Sequence, residues 1–163
     1  MLRFAHRLSQ ISFEELMAVY KEGNLEKARE KFSFLEPKQA LMLVEGEFED
    51  YLRRDFFSVP GACYALWEEG QLCSALRLEP YQDGFLVCAL ETRPELRRMG
   101  YGGKLMRGVQ AAQGFDKLYS HVSRTNLPSQ ALHKSCGFRV IGDFARFLDG
   151  SVNSHCQTLL WER

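Results

Sequence analysis

The segment Arg97-Arg98-Met99-Gly100-Tyr101-Gly102-Gly103-Lys104 carries the residues best suited to chemistry on an anion. Three glycines let a backbone turn tightly and approach a ligand with no Cβ in the way. If a helix opens at this point, its first N–H groups are unpaired and sit at the positive end of the helix dipole. Together these features make a cradle for phosphate oxygens. Arg93, Arg97, Arg98, Lys104 and Arg107 add positive charge around it. The spacing is not that of a Walker A loop, which needs Gly-x-x-x-x-Gly-Lys-Ser/Thr. Nor is it Gly-x-Gly-x-x-Gly, so a dinucleotide fold is not indicated. Taken alone, the turn could equally pack a helix against a sheet.

Two histidines and a glutamate are placed to move protons. His121 falls on a predicted strand of alternating pattern, sharing one face with Tyr119 and Ser123. His133 falls on a short predicted helix that follows Asn126, and Glu91 closes the strand leading into the glycine turn. An imidazole with a pKa near 6.5 can act as acid or base at neutral pH. Each also has a plainer reading: His121 as a hydrogen-bonded core residue, His133 as a helix-face residue bonded to the protein, Asn126 as a helix N-cap.

These residues need a scaffold, and the hydrophobic periods supply one. Residues 2–9 suit a first strand. Ser12 reads as an N-cap, with Glu15 completing a capping box and Gly23 ending the helix. A longer helix is predicted from Pro37 into the low fifties, with Leu41, Val44, Phe48 and Leu52 at helical spacing. Residues 24–34 between them are read as partly helical. Three strands then follow at 62–67, 72–78 and 85–92, with turns at 68–70 and 81–84. Beyond the glycine turn come a helix to Gly114, a strand at 117–122, a helix at 128–136 and closing strands at 138–147 and 154–161. This order predicts a mixed α/β fold: one mostly antiparallel sheet flanked by helices, in a single domain spanning 1–163.

The glycine segment contains Arg97-x-x-Gly100-x-Gly102. This resembles the Arg/Gln-x-x-Gly-x-Gly/Ala signature of the GNAT superfamily of acyl-CoA N-acyltransferases. Downstream, the run from Asn126 to the closing Gly137-Phe138 resembles that superfamily's second motif, in the expected order and with the expected helix and strand between. The resemblance implies a splayed central sheet and acetyl-CoA as cosubstrate, with no metal. It implies that the N–H groups of residues 97–104, Met99 and Tyr101 included, hold the coenzyme diphosphate. It places the pantetheine along Leu90, Glu91 and Thr92, where a strand N–H would also polarise the acetyl carbonyl. Asn126 matches the family Asn that touches the cofactor arm. His133 stands where many members carry a Tyr that protonates the leaving sulfur, and is expected to be the general acid. His121 stands where ribosomal-protein acetyltransferases carry a Glu base. Glu91 is the other candidate base.

Composition narrows the partners. Lys plus Arg and Asp plus Glu number 21 each, which argues against a nucleic-acid binder. The odd count of five cysteines, with no Cys-x-x-Cys pair, suggests neither a disulfide framework nor a zinc site. With no signal-like N-terminus and no apolar run of about 20 residues, the expectation is a cytoplasmic protein without membrane partners, monomeric or a homodimer. The acceptor is an amine of a small molecule or a protein N-terminus. The acidic run Glu45, Glu47, Glu49 and Asp50 suggests either attraction for a cationic amine or a solvated helix face. Cys88 and Cys136 are expected to pack rather than react. Two rival readings stay open: a catalytically silent acyl-CoA-binding module, and a structural domain that binds no coenzyme.

Overall fold

The computed structural model describes residues 1–163. The chain runs β1 (Leu2–Ala5), α1 (Phe13–Val19), α2 (Lys21–Lys31), α3 (Pro37–Arg54), β2 (Cys63–Glu68), β3 (Leu72–Tyr81), β4 (Gly84–Thr92), α4 (Tyr101–Ala111), β5 (Lys117–Ser123), α5 (Leu127–Ser135), β6 (Arg139–Gly142), β7 (Ala145–Arg146), β8 (Val152–Asn153) and β9 (Cys156–Glu162). Seven strands form one sheet in the order β1-β2-β3-β4-β5-β9-β6, and β7 and β8 form a separate hairpin. Every neighbour in the large sheet is antiparallel except β4 and β5. The mixed α/β architecture with a mostly antiparallel sheet is therefore as expected.

The alternation of apolar residues along β2 and β3 sends side chains to both faces, and each face is covered. Tyr64, Leu66, Leu72 and Ala75 meet Leu16, Val19, Leu52 and Phe56 from the α1 and α3 side. Cys63, Ala65, Leu76 and Leu78 meet Leu105, Met106 and Val109 of α4 on the other side. Ten strand or helix leucines, valines and methionines of this set are essentially inaccessible to water, so their burial supplies the main stabilising term at about 25 cal/mol per Å².

Several local expectations are corrected. The first strand ends at Ala5, and residues 8–10 form a single 3₁₀ turn. Ser12 does cap α1, its Oγ accepting from the Glu15 N–H at 3.3 Å. The reciprocal half of the capping box is absent. The Glu15 carboxylate instead accepts from the Leu72 N–H at 2.9 Å and from Arg93 at 2.7 Å, because a buried strand donor and a buried guanidinium offer stronger partners than the exposed cap. Gly23 does not end a helix. The break falls at Tyr20, and α2 runs through Gly23, whose surroundings are open. The closing strand expected over 138–147 splits into β6 and β7, with a register shift at Val140/Gly142 and Thr158 Oγ1 donating to the Phe144 carbonyl. That split carries Phe147 over the sheet.

All five cysteines are free thiols. Among the aromatic residues, Tyr64 and Phe56 are fully buried, whereas Trp67 is half-buried with its Nε1 on Glu69. No helix is long and apolar enough to cross a membrane.

Candidate active site

The sheet opens at its centre. β4 and β5 pair only at Phe85–Leu118, Leu86–Tyr119 and Val87–Ser120. Beyond Val87 the two strands part, although β4 stays bonded to β3 as far as Thr92 and β5 stays bonded to β9 as far as Ser123. The inner edges of both strands are thus left without strand partners, and a wedge-shaped cleft lies between them. Buried backbone donors and acceptors need partners, so this edge is suited to an extended ligand that adds itself as a strand.

A bulge sits at the mouth of the cleft. Arg77 opposes Cys88 and Ala75 opposes Glu91, so Leu76 alone faces Ala89 and Leu90. Ala89 takes φ +49°, a region that side chains other than glycine occupy at a cost of about 1 kcal/mol. Tyr20 holds the distortion in place, its hydroxyl donating to the Ala89 carbonyl at 2.7 Å. The hydroxyl had no signal in the sequence, where Tyr20 reads only as part of an apolar helix stripe.

The glycine turn lies at the wide end. Gly100 caps α4 with φ +83°, which favours glycine, and no side chain caps the helix. Residues 98–103 donate no backbone hydrogen bond, and the first intrahelical bond is Lys104 N–H to the Gly100 carbonyl. Six consecutive N–H groups therefore have no acceptor within the protein, beside a cavity of about 630 Å³ lined by Thr92, Arg97, Arg98, Gly102, Gly103, Asn126 and their neighbours. Leu90, Glu91, Gly100 and Tyr101 line it too.

Two residues expected there stand aside. Met99 is exposed, and the Lys104 ammonium pairs with Glu69 at 3.1 Å and stacks on Tyr101. Arg93 also contributes nothing to the cradle. It is buried, with Nε on the Leu72 carbonyl and Nη2 on Glu15, and joins β3 to α1. Arg97 bonds Glu22 and lies 3.6 Å from Glu91. Arg98 has φ +63° and no carboxylate partner. The Arg107 guanidinium lies over Gly103, where a Cβ would meet it at 3.0 Å.

A second cavity of about 320 Å³ continues the cleft. It is lined by Cys88, Ala89, Ser120, His121, His133 and Phe147, and shares Leu90, Glu91, Asn126 and Ser129 with the first. The two histidines are thus brought together with Glu91 at the parting of the strands. Both ring nitrogens of His121 are buried without a partner, and the ring lies edge-on between Tyr81 and Phe147. This is not a hydrogen-bonded core histidine. Burial lowers its pKa, so it is neutral at pH 7. His133 is buried on α5. Its Nδ1 lies 2.7 Å from the Ser129 carbonyl, which can only accept, so Nδ1 carries the proton. Nε2 is buried with no partner. Burial lowers this pKa as well, against the opposing effect of the Ser129 carbonyl. Burial raises that of Glu91, opposed by Arg97. Asn126 caps α5 through the Ser129 N–H at 3.1 Å and also borders both cavities. The Cys88 thiol is pushed up to about 12 by burial, so it is no nucleophile at neutral pH.

The acidic run on α3 is matched by neighbours. Glu47 pairs with Lys31, Glu49 with Arg53, and Asp50 lies 3.9 Å from Arg54. Three of the four acids thus have a basic neighbour, and Glu45 has none.

Comparisons with known proteins agree with the fold. The model of the acetyltransferase (GNAT) family matches residues 24–138. No curated protein matches the chain in sequence. Among solved structures, the IAA acetyltransferase from Bacillus cereus ATCC 14579 superposes with a TM-score of 0.59 at 17% identity, covering 100% of this chain and 99% of that one. The ribosomal-protein-alanine N-acetyltransferase from Brucella melitensis gives 0.60 at 16% identity, over 100% and 99%. The PaiA N-acetyltransferase from Thermoplasma acidophilum, solved with coenzyme A, gives 0.59 at 11% identity over the same shares. At such identities these likenesses establish the fold, and the match of the family model across most of the sequence establishes more: the chain belongs to the acetyltransferase (GNAT) family.

Proposed function

We propose that this protein transfers an acetyl group from acetyl-CoA directly to a primary amine of a small molecule or a protein N-terminus, in the cytoplasm. The observation that carries this reading is the parting of β4 from β5 beside six undonated N–H groups at the start of α4. The diphosphate suits those N–H groups, and the pantetheine amides suit the free edge of β4 from Cys88 to Glu91. A CoA-bound neighbour of the same fold supports the assignment.

The chemistry is aminolysis of a thioester. An alkylammonium with a pKa of ~10 must lose a proton before its nitrogen can attack. His121 is neutral, desolvated and unpartnered, so its ring nitrogen takes that proton, directly or through a water. The amine nitrogen then bonds to the acetyl carbon while a β4 N–H steadies the carbonyl oxygen, and the carbon–sulfur bond breaks. The thiolate, with a pKa near 8.5 by analogy with cysteine, departs without an obligatory acid. His133 can protonate it only as the imidazolium, since its Nδ1 proton is committed to Ser129. Its contribution therefore grows as pH falls.

A screen of primary amines with acetyl-CoA, reading free thiol and confirming the acetylated amine by mass, tests the reading. Transfer to at least one amine class is expected. Coenzyme binding with no turnover on any amine would favour the silent-module alternative. A melting temperature unmoved by saturating coenzyme would reject coenzyme binding altogether, because ligand at 100 times its Kd adds about 2.7 kcal/mol.

A further inference from the structure

A third cavity, of about 610 Å³, lies on the α1–α3 face of the sheet between α2, α3 and β3. Its floor is Arg77. This side chain is half-buried, with its guanidinium carbon 5.0 Å from the Tyr51 ring centre and 5.5 Å from that of Phe56. Nε is buried with no partner, and no carboxylate stands within ion-pair distance of the group. A guanidinium cannot shed its charge. Packing it between aromatic faces without an anion leaves Nε, one of its donors, without an acceptor, which structures rarely tolerate. The other charged groups at this cavity do not answer it. Lys31 is held by Glu47, and Lys27 and Glu30 are exposed at its mouth.

The cavity borders the reaction centre. Arg77 is the cross-strand partner of Cys88, so the two side chains share a face, and Cys88 lines the cleft. Tyr20 stands between the two spaces. Its ring meets Phe48, which lines the cavity, at 5.5 Å, and its hydroxyl holds Ala89, which lines the cleft.

We propose that this cavity is the acceptor subsite and that Arg77 binds a carboxylate on the acceptor, so that the substrate is a small amine bearing an acid group rather than a polycation. The proposal rests on the acetyl-transfer reading and names its substrate class. A planar guanidinium meets a carboxylate through two parallel N–H···O bonds, and Tyr51 and Phe56 keep its plane fixed. The alternative, a cationic acceptor drawn by α3, is weakened because Glu47, Glu49 and Asp50 each have a basic neighbour, and Glu45, the one acid of the run without one, does not line this cavity.

The test compares β-alanine, 4-aminobutyrate and a Gly-Gly dipeptide with their carboxamides and with spermidine. It uses the full chain with acetyl-CoA, and both the wild type and Arg77→Met, which keeps an apolar stem for Tyr51 and Phe56. In the wild type, kcat/KM is expected to favour at least one acid over its amide by about 10- to 100-fold, the range for a charged hydrogen-bonded pair. In R77M that acid should fall to the level of its amide, with the change in acceptor KM. Arg77→Lys should recover part of it, because charge returns without the fork. Equal rates for acid and amide, or preference for spermidine, would overturn the subsite and leave acetyl transfer standing. Should no amine be acetylated, the transfer reading fails and calorimetry of the same acids decides the subsite alone. Binding that weakens in R77M supports it, and no binding to the wild type overturns it. Melting curves of R77M check that the fold survives.

Discussion

Replacing Gly102 with Glu should stabilise the fold and weaken coenzyme binding strongly, two effects of opposite sign from one side chain. Gly102 is the second residue of α4, and a Cβ built there meets Thr92 Oγ1 at 3.5 Å and Leu132 Cδ2 at 3.6 Å, ordinary contact distances. The backbone is helical, so no strain opposes a side chain. Removing a helix glycine gains roughly 0.5–1 kcal/mol. A carboxylate in the first turn gains about 0.3–1 kcal/mol more from the helix dipole. For a chain of this length the sum corresponds to a rise in Tm of roughly 2–6 °C. The same carboxylate occupies the cavity at the undonated N–H groups. A like charge about 5 Å away at an effective dielectric of about 20 costs roughly 3 kcal/mol, or about 100-fold or more in Kd. Calorimetric titration with coenzyme A and melting curves with and without it read both effects. Coenzyme affinity within threefold of wild type would refute the diphosphate cradle. A fall in Tm alongside the loss of binding would point to damage instead.

His121→Phe should lower kcat by about 10²- to 10⁴-fold while leaving coenzyme affinity intact, measured by free-thiol release and calorimetry. In the wild type kcat should fall as pH drops below His121's depressed pKa, because protonation removes the base, and it should not fall between pH 7 and 8. His133→Phe should cost more at pH 5.5 than at pH 8, since only the imidazolium can donate to sulfur; an equal loss at both pH values would remove His133 from proton transfer. Glu15→Ala should lower stability in urea by about 2 kcal/mol, because it strands the Leu72 N–H and leaves the buried Arg93 with only the Leu72 carbonyl and the more distant Glu95. The Leu72 hydrogen bond holds Glu15 below the usual carboxylate range. Its contribution is therefore complete above about pH 4.5 and fades as pH falls through the lowered value, and a wild-type stability profile without that acid limb would contradict it.

The glycine turn was legible because its chemistry is local. Gly100 must take a positive φ, and a helix that starts at Tyr101 exposes its own donors whatever lies around it. The strands were legible for the same reason, each carrying its own period. What escaped depends on which residues meet across the sheet. Arg93 reads like the other arginines near the turn, yet strand register carries it to Glu15, 78 positions away. Lys104 is one residue past the cradle and turns to Glu69. Arg77 breaks an apolar run, but only the fold shows that no acid reaches it. The half-formed capping box is similar: Ser12 finds its N–H locally, while Glu15 is drawn off by β3. The bulge at Ala89 has no sequence signal, since alanine is a poor choice for a left-handed backbone.

A crystal structure of the complex with coenzyme A tests the central claim most directly. The account expects diphosphate oxygens at about 3 Å from N–H groups of residues 98–103 and pantetheine amides bonded to β4 between Cys88 and Glu91, inside the cleft. A coenzyme bound elsewhere, or a cleft closed by continued β4–β5 pairing, would contradict it.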